Sequence, residues 1–453
     1  EEIEIRNFTC FENLKLNLKA GVNLVYGING TGKTALLEAL SISADCFLAT
    51  LPFAHVKNTT IKRAQIRLAT HEEMLYPERQ LPAKIAAKGT VMGVPIVAPW
   101  VVTNDGHQVW VDASQLEEIA AKAKHIVQEG QKEKLPLVLY LAIERLMTAV
   151  VSIEKSASQK DSDSENENSD GFDDDEMLPT GRFWGYWGAN LGLSTRKEIK
   201  AWIRDQERLA FVYQKELKSN EPQAPHEMGT LLYEELKKLV LRFFPEWRDL
   251  YFYESELNKS LPKGIFVHQK NGERLPISHL SAGYRNVLWT LLDIGWRCVM
   301  LNPFLQKDVF KETEGLVLID EIDLHLHPQW QRRIVDILQE AFPKIQFVLT
   351  THSPLVLASK GAHVILLGED HQVVTDINIS GMKPSRVLSD FMGVPERPEE
   401  ISSAIQAYFE LIEAGKGHTA EAIRYKKMLE ENLSTDDPIF EEARILLTLS
   451  KYQ

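Results

Sequence analysis

Hydrophobic and polar residues alternate at the start of the chain. Ile3 and Ile5, then Leu14, Leu16 and Leu18, are separated by single polar residues, the period of half-buried strands, and predict a hairpin. Leu24-Val25-Tyr26 follows as an apolar strand, and Ala35-Leu36-Leu37-Glu38-Ala39-Leu40 is a run of strong helix formers. The segment from Thr59 to Val111 reads as β-rich, with Val109-Trp110-Val111 placed after the turn signal Asn104-Asp105-Gly106. Leu135 to Leu139 is a further apolar strand. Between about 150 and 260 the pattern turns helical, around Lys197 to Leu217 and Leu231 to Phe244, as in an inserted region. Strands and helices then alternate through Leu367, which predicts a parallel sheet with crossover helices. Beyond Ser380, Ile401, Ile405, Tyr408, Phe409 and Ile412 fall on one helical face, and Asp437-Pro438 opens a further helix with a cap and a proline at its first position.

Composition narrows the class. The 453 residues, 44% apolar and 25% charged, fit a folded protein of two or three domains. No apolar run approaches the ~18 to 20 residues of a membrane helix, since Val91 to Val102 is interrupted by Pro95 and Pro99. Cys10, Cys46 and Cys298 match no metal or redox spacing and read as small buried residues of a reducing compartment, so the cytoplasm is the expected location. The net charge of −13 is uneven. Nine acidic residues and no basic one lie between Asp161 and Glu176, and removing those nine leaves −4. That stretch cannot bury enough apolar surface to order itself and is expected to be a mobile loop, over about 155 to 178. It is either a plain solvated insertion or a mimic of nucleic acid that shields a basic surface.

The chemistry is concentrated in four motifs. Residues 27 to 34, Gly27-Ile28-Asn29-Gly30-Thr31-Gly32-Lys33-Thr34, form a complete phosphate-binding loop between a strand and a helix. The glycines let successive N–H groups face phosphate oxygens, Lys33 reaches the outer phosphates, and the Thr34 hydroxyl is a Mg²⁺ ligand. Leu316-Val317-Leu318-Ile319-Asp320-Glu321 is a buried strand ending in two carboxylates. In a phosphate-loop enzyme Asp320 holds the metal and Glu321 polarises the attacking water. Thr350-Thr351-His352-Ser353-Pro354 follows the strand Ile345 to Leu349, where a parallel sheet presents ligands, which places His352 at the γ-phosphate. Leu280-Ser281-Ala282-Gly283-Tyr284-Arg285 precedes a long apolar helix whose N-terminus can approach a phosphate, with Ser281 as a hydrogen-bonding group.

In this order the four motifs resemble those of ABC-type ATPases. The opening Ile5-Arg6-Asn7-Phe8 and the segment Asp323-Leu324-His325-Leu326-His327-Pro328 are similar to the SMC and RecF branch rather than to transporters. The resemblance covers roughly 1–150 and 260–370. It implies an α/β head with a mixed or parallel sheet and an N-terminal antiparallel part. It also implies ATP and Mg²⁺ as ligands, and a head-to-head dimer in which Ser281 and Gly283 of one subunit complete the site of another. Arg6 and Asn29 would assist at the phosphates, and Asp323 would communicate across the dimer. The glutamine-loop position near Tyr140 and Glu144-Arg145 has no Gln. His325 and His327 read as capping and contact residues rather than a metal pair. The expected divisions are 1–150 for the N-terminal lobe, 151–260 for the inserted helical region, 261–380 for the C-terminal lobe, and 381–453 for a helical module making partner or oligomer contacts.

Length and tail refine the branch. The insertion is too short for a long coiled coil, because helices of ~25 residues reach only ~40 Å. About 75 residues after Ser380 leave no room for an acidic nuclease domain, and no nuclease constellation is present. Gly381-Met382-Lys383-Pro384-Ser385-Arg386-Val387-Leu388 and Phe391-Met392-Gly393-Val394 resemble the Septu anti-phage ATPases, the PtuA family, which work with a separate HNH nuclease, PtuB. That resemblance implies a regulatory ATPase that scaffolds its nuclease and meets nucleic acid through the complex. Two other readings stay open. A RecF-like repair clamp would use basic residues such as Lys62-Arg63, Arg67 and Arg332-Arg333 on duplex DNA. A PARIS-type defence ATPase would sequester an effector.

Overall fold

The strand Val22–Gly27, β3, is buried at every position, because it lies inside a six-stranded sheet with a parallel neighbour on each side. The computed structural model describes residues 1–51, 60–69, 76–143, 181–189, 195–217, 226–254, 263–395 and 397–449. The acidic stretch Asp161 to Glu176 and the pair Glu144-Arg145 lie outside the described residues. The chain forms two compact units, Glu1–Gly381 and Met382–Gln453.

In the first unit, β1 (Glu2–Phe8) and β2 (Phe11–Asn17) pair antiparallel, with Ile3 opposite Leu16 and Ile5 opposite Leu14. This is the predicted hairpin. It extends through β4 (Ala83–Lys88), β5 (Trp100–Asn104) and β6 (Val109–Asp112) into an antiparallel sheet of order β6-β5-β4-β1-β2. The central sheet has the order β7-β11-β12-β3-β13-β14, with β7 at Leu137–Leu141, β11 at Gly315–Ile319, β12 at Ile345–Thr350, β13 at Ala362–Leu367 and β14 at Val373–Ile377. Its strands are parallel except for β14, which turns back along β13. The mixed α/β architecture with an N-terminal antiparallel sheet is therefore as expected.

Helix α1 (Lys33–Leu48) follows β3 and is buried on most of its surface. Helix α2 (Ser114–Gln128) was not singled out in the sequence, although Leu116, Ile119, Ala120, Ala123 and Ile126 give it one buried face. The inserted region carries α3 (Arg196–Leu217) and α4 (His226–Phe243). It does not end helically. β8 (Trp247–Tyr253), β9 (Gly264–Gln269) and β10 (Arg274–Pro276) form a separate antiparallel sheet, where a return to the parallel pattern was expected. Helix α5 (Ala282–Leu301) is buried on nearly all sides, and its interior Arg297 pairs with Asp293 at 2.7 Å and donates to the Gly185 and Trp187 carbonyls. Among the described residues no helix is long and apolar enough to cross a membrane. Burial pushes the Cys46 and Cys298 thiols up to about 12.

The second unit has its own core of Ala404, Tyr408, Ile412, Ala422, Leu429 and Ala443. The apolar face of α6 (Glu399–Glu413) is covered by α7 (Ala420–Asn432) and α8 (Pro438–Leu449), with Ile401, Ile405 and Phe409 packed around that core. Asp437 accepts the Ile439 N–H at 3.1 Å as the cap of α8 and pairs with Arg397.

Asp45 breaks the rule that buried polar atoms are satisfied. It is fully buried on α1, neither carboxyl oxygen has a hydrogen-bond partner, and burial raises its pKa well above the usual carboxylate range. An acid whose folded pKa lies above its unfolded one loses stability as pH rises through the unfolded value near 4, until the folded value is reached. Asp45→Asn removes that titration. Its melting temperature relative to wild type is expected to rise between pH 5 and pH 8; a constant difference would contradict the buried-acid assignment.

Candidate nucleotide site

The turn after β3 is built by glycine. Gly30 and Gly32 have φ of +89° and +99°, conformations that other residues rarely adopt. A Cβ at Gly32 would also lie 2.7 Å from Cζ of Phe11. Lys33 is 8% exposed, and its ammonium donates to the carbonyls of Gly27 at 2.7 Å and Ile28 at 3.1 Å, closing the loop on itself. Burial lowers the Lys33 pKa, against the carboxylates of Asp320, Glu321 and Asp323, which favour its charge.

Three adjacent strands meet at one carboxylate. Asp320, immediately after β11, is 3% exposed. Its Oδ2 accepts from the Thr34 hydroxyl at 2.9 Å and its Oδ1 from the Thr350 hydroxyl at 2.5 Å. Thr350 closes the C-terminal end of β12, and its oxygen also accepts the Glu321 N–H at 2.7 Å. One hydroxyl therefore fixes both members of the acidic pair. Glu321 is half-buried at φ +47°, a turned backbone that sets it apart from the buried strand. Thr350 had been read only as part of a motif. Within an apolar strand a threonine is indistinguishable by pattern from any β-branched strand former.

The following loops interlock in the same way. The Thr351 hydroxyl donates to Asp323 at 2.5 Å and the His352 N–H to the same oxygen at 3.2 Å. Asp323 is thereby tied to the histidine loop of its own chain. Ser353 caps the next turn, accepting from Leu355 and Val356 N–H groups. His327 Nδ1 accepts the Gln329 N–H, the capping role expected of it.

The serine-glycine motif forms a separate surface. Ser281 is exposed as the N-cap of α5, while Gly283 is buried so tightly that a Cβ would lie 2.9 Å from the His325 carbonyl. Asn286 donates to the Leu324 carbonyl at 3.0 Å. Tyr284, Trp330, Phe244 and Trp247 form one aromatic cluster of tilted and edge-on contacts, with Phe244 stacked on Trp247, joining this helix start to the end of α4. The structure thus brings Lys33, Thr34, Asp320 and Glu321 together, and packs the Gly283 end of α5 on the loop after the acidic pair. Arg6 is exposed on β1, where its guanidinium donates to Glu4 at 2.7 Å. Asn29 and Gly30 stand exposed at the loop tip, while the Thr31 hydroxyl donates inward to the Ile28 carbonyl. Tyr140 is an interior residue of β7, not a loop residue.

The donor set suits Mg²⁺, which takes oxygen ligands and retains waters and phosphate oxygens. Thr34 and Asp320 present two oxygens to one point at the carboxyl ends of the central strands, where open α/β sheets bind ligands. Among the described residues no group of three or more His, Cys, Asp or Glu side chains is placed to hold a metal ion by itself. The basic residues a DNA clamp would use are partly committed elsewhere, Arg67 to Glu12 and Arg333 over the Trp330 ring.

Sequence families agree with this geometry at the level of class. Residues 2–80 match an "AAA domain" model, and residues 152–358 match "AAA domain, putative AbiEii toxin, Type IV TA system". The chain is related to AAA-type ATPase domains. It is 36% identical to "Retron Vc95 probable ATPase" of Vibrio cholerae serotype O1 biovar El Tor over 35% of this chain and 32% of that one, about a third of that relative's length. It is 23% identical to "Retron Ec83 probable ATPase" of Escherichia coli over 98% of this chain and 85% of the relative. Septu protein PtuA of Bacillus mycoides (strain KBAB4) is 36% identical over 30% of this chain and 19% of its own length. An SMC head bound to the C-terminal winged-helix domain of ScpA superposes with a TM-score of 0.45 at 15% identity, covering 83% of this chain and 96% of that one. The Septu likeness is thus one part of a wider relationship that includes retron ATPases, which the sequence reading had not named.

Thr350→Val keeps the shape of β12 and removes the shared hydroxyl. Loss of a hydrogen bond to a buried charge costs about 1.5 to 3 kcal/mol, so turnover of ATP is expected to fall about 10-fold or more with ATP affinity retained. Steady-state rates equal to wild type would show that Thr350 does not hold the acidic pair.

Proposed function

We propose that this chain binds and hydrolyses ATP with Mg²⁺ and serves as the ATPase subunit of a bacterial anti-phage defence complex of the retron or Septu kind. The observation that carries the reading is the Thr34–Asp320–Thr350 junction beside a buried Lys33, at the carboxyl ends of three adjacent parallel strands. Lys33 exchanges its two loop carbonyls for the outer phosphates. Its lowered pKa reflects an ammonium already stripped of water, so less hydration is lost when phosphate arrives. A Mg²⁺ ion held by Thr34 and Asp320 would offset negative charge on the phosphate oxygens. Glu321, set off from the buried strand by its turned backbone, orients or deprotonates the attacking water, and His352 steadies the γ-phosphate.

Ser281 and Gly283 act in trans in this reading. Ser281 is exposed at a helix N-terminus, where a second subunit's phosphates can be met by N–H groups and the helix dipole. Catalysis therefore requires head-to-head dimers. The partner we propose is a separate HNH-type nuclease, scaffolded or released according to the dimer's nucleotide state. The 382–453 unit covers most of its own apolar surface, leaving Ile423, Ile445 and Leu449 exposed for partner or subunit contact.

Glu321→Gln keeps the side chain's shape and removes its basicity. It is expected to lower ATP turnover at least about 100-fold, the scale of general-base catalysis, and to accumulate an ATP-bound dimer visible as doubled mass by light scattering. Wild-type turnover in this variant, or unchanged mass with ATP, would refute the composite-site mechanism.

A further inference from the structure

The loop's third carbonyl has a partner that no motif predicts. His371 lies in the turn between β13 and β14, locked by hydrogen bonds from Gly368 N–H to the Gln372 carbonyl at 2.9 Å and from His371 N–H to the Gly368 carbonyl at 3.0 Å. Its backbone is at φ +57°. From there Nδ1 stands 3.1 Å from the carbonyl oxygen of Thr31. A carbonyl only accepts, so Nδ1 carries the proton in this contact. The same ring meets Phe11 edge-on, with centroids 5.8 Å apart at 78°, and Phe11 packs against Gly32 together with Cys10, whose thiol lies 4.0 Å from the same Thr31 oxygen. Histidine, phenylalanine and loop thus form one continuous contact.

Peptide geometry gives this contact its consequence. The bond between Thr31 and Gly32 is planar and trans, so its C=O and N–H point in opposite directions. Holding the Thr31 oxygen toward His371 aims the Gly32 N–H the other way, to the side on which a phosphate-binding loop gathers its donors. The neighbouring carbonyls of Gly27 and Ile28 face Lys33. His371 thus holds the Thr31 carbonyl between the two positive-φ glycines, Gly30 and Gly32.

We infer that His371 is a positioning residue for nucleotide binding, preorganising the Gly32 N–H for the phosphates. This rests on the ATP-binding reading above. The residue does not touch the reacting atoms, so its effect falls on affinity and not on the chemical step.

Three substitutions separate the hydrogen bond from the ring. His371→Ala removes both. His371→Phe keeps the contact with Phe11 and removes the donor. His371→Asn places Nδ2 the same number of bonds from Cα as Nδ1 and tolerates a positive φ. Calorimetric titration of the full chain with ATP and Mg²⁺, paired with steady-state hydrolysis, is expected to show Kd and KM raised about 5-fold in the Ala and Phe variants. The Asn variant should stay within about 2-fold of wild type, and kcat should be equal in all four proteins. Wild-type affinity in both the Ala and Phe variants would overturn the assignment, as would an Asn variant as weak as the Ala variant. Absence of ATP binding by wild type would overturn the ATP-binding reading itself, together with this one.

Discussion

A buried carboxylate needs partners, and Asp320 has two hydroxyls and, among the described residues, no ion pair. Taking an ionised group out of water costs several kcal/mol unless hydrogen bonds replace the lost hydration. Asp320 obtains them from Thr34 on the helix after β3 and from Thr350 at the end of β12. The strand before Thr34 lies far in sequence from the two strands that carry Asp320 and Thr350, and this one group ties the carboxyl ends of all three. The geometry of the phosphate loop, the acidic pair and the histidine loop all depend on that tie.

The loops extend the constraint outward. Asp323 accepts from Thr351 and from the His352 N–H, so the segment after the acidic pair and the histidine loop are held as one piece. Gly283 lies against the same segment at the His325 carbonyl, and Asn286 holds Leu324. Tyr284 and Trp330 then form an aromatic cluster with Phe244 and Trp247. A displacement at the acidic pair therefore has a packed route to the start of α5, the part proposed above to act in trans. Close-packed contacts transmit such shifts because they cannot absorb them.

Much of this was legible from residue order. Short apolar runs such as Leu316 to Ile319, and Ile345 to Leu349 with Gln346 alone interrupting it, read as buried strands, and the loop glycines are required by their positive φ. What was not legible depended on distance or on ambiguity of pattern. Thr350 looks like any β-branched residue in a strand until its hydroxyl is seen between Asp320 and the Glu321 N–H. The strand Trp247–Tyr253 follows a helix after only a few residues, and nothing in its own pattern marks Gly264–Gln269 as its antiparallel partner. His371 and Thr31 are 340 positions apart, and nothing local marks either residue for the other. Arg6, which a motif resemblance assigned to the phosphates, lies exposed on β1 and pairs with Glu4.

The central claim is that Asp320 and Thr34 hold each other in the place that Mg²⁺ and phosphate occupy in the working enzyme. A crystal structure with Mg²⁺ and a non-hydrolysable ATP analogue tests it most directly. The account predicts the ion between the Thr34 hydroxyl and the Asp320 side, and Lys33 moved from the Gly27 and Ile28 carbonyls onto the outer phosphates. Nucleotide bound with Lys33 still closed on those carbonyls, or a metal held away from Thr34 and Asp320, would contradict it.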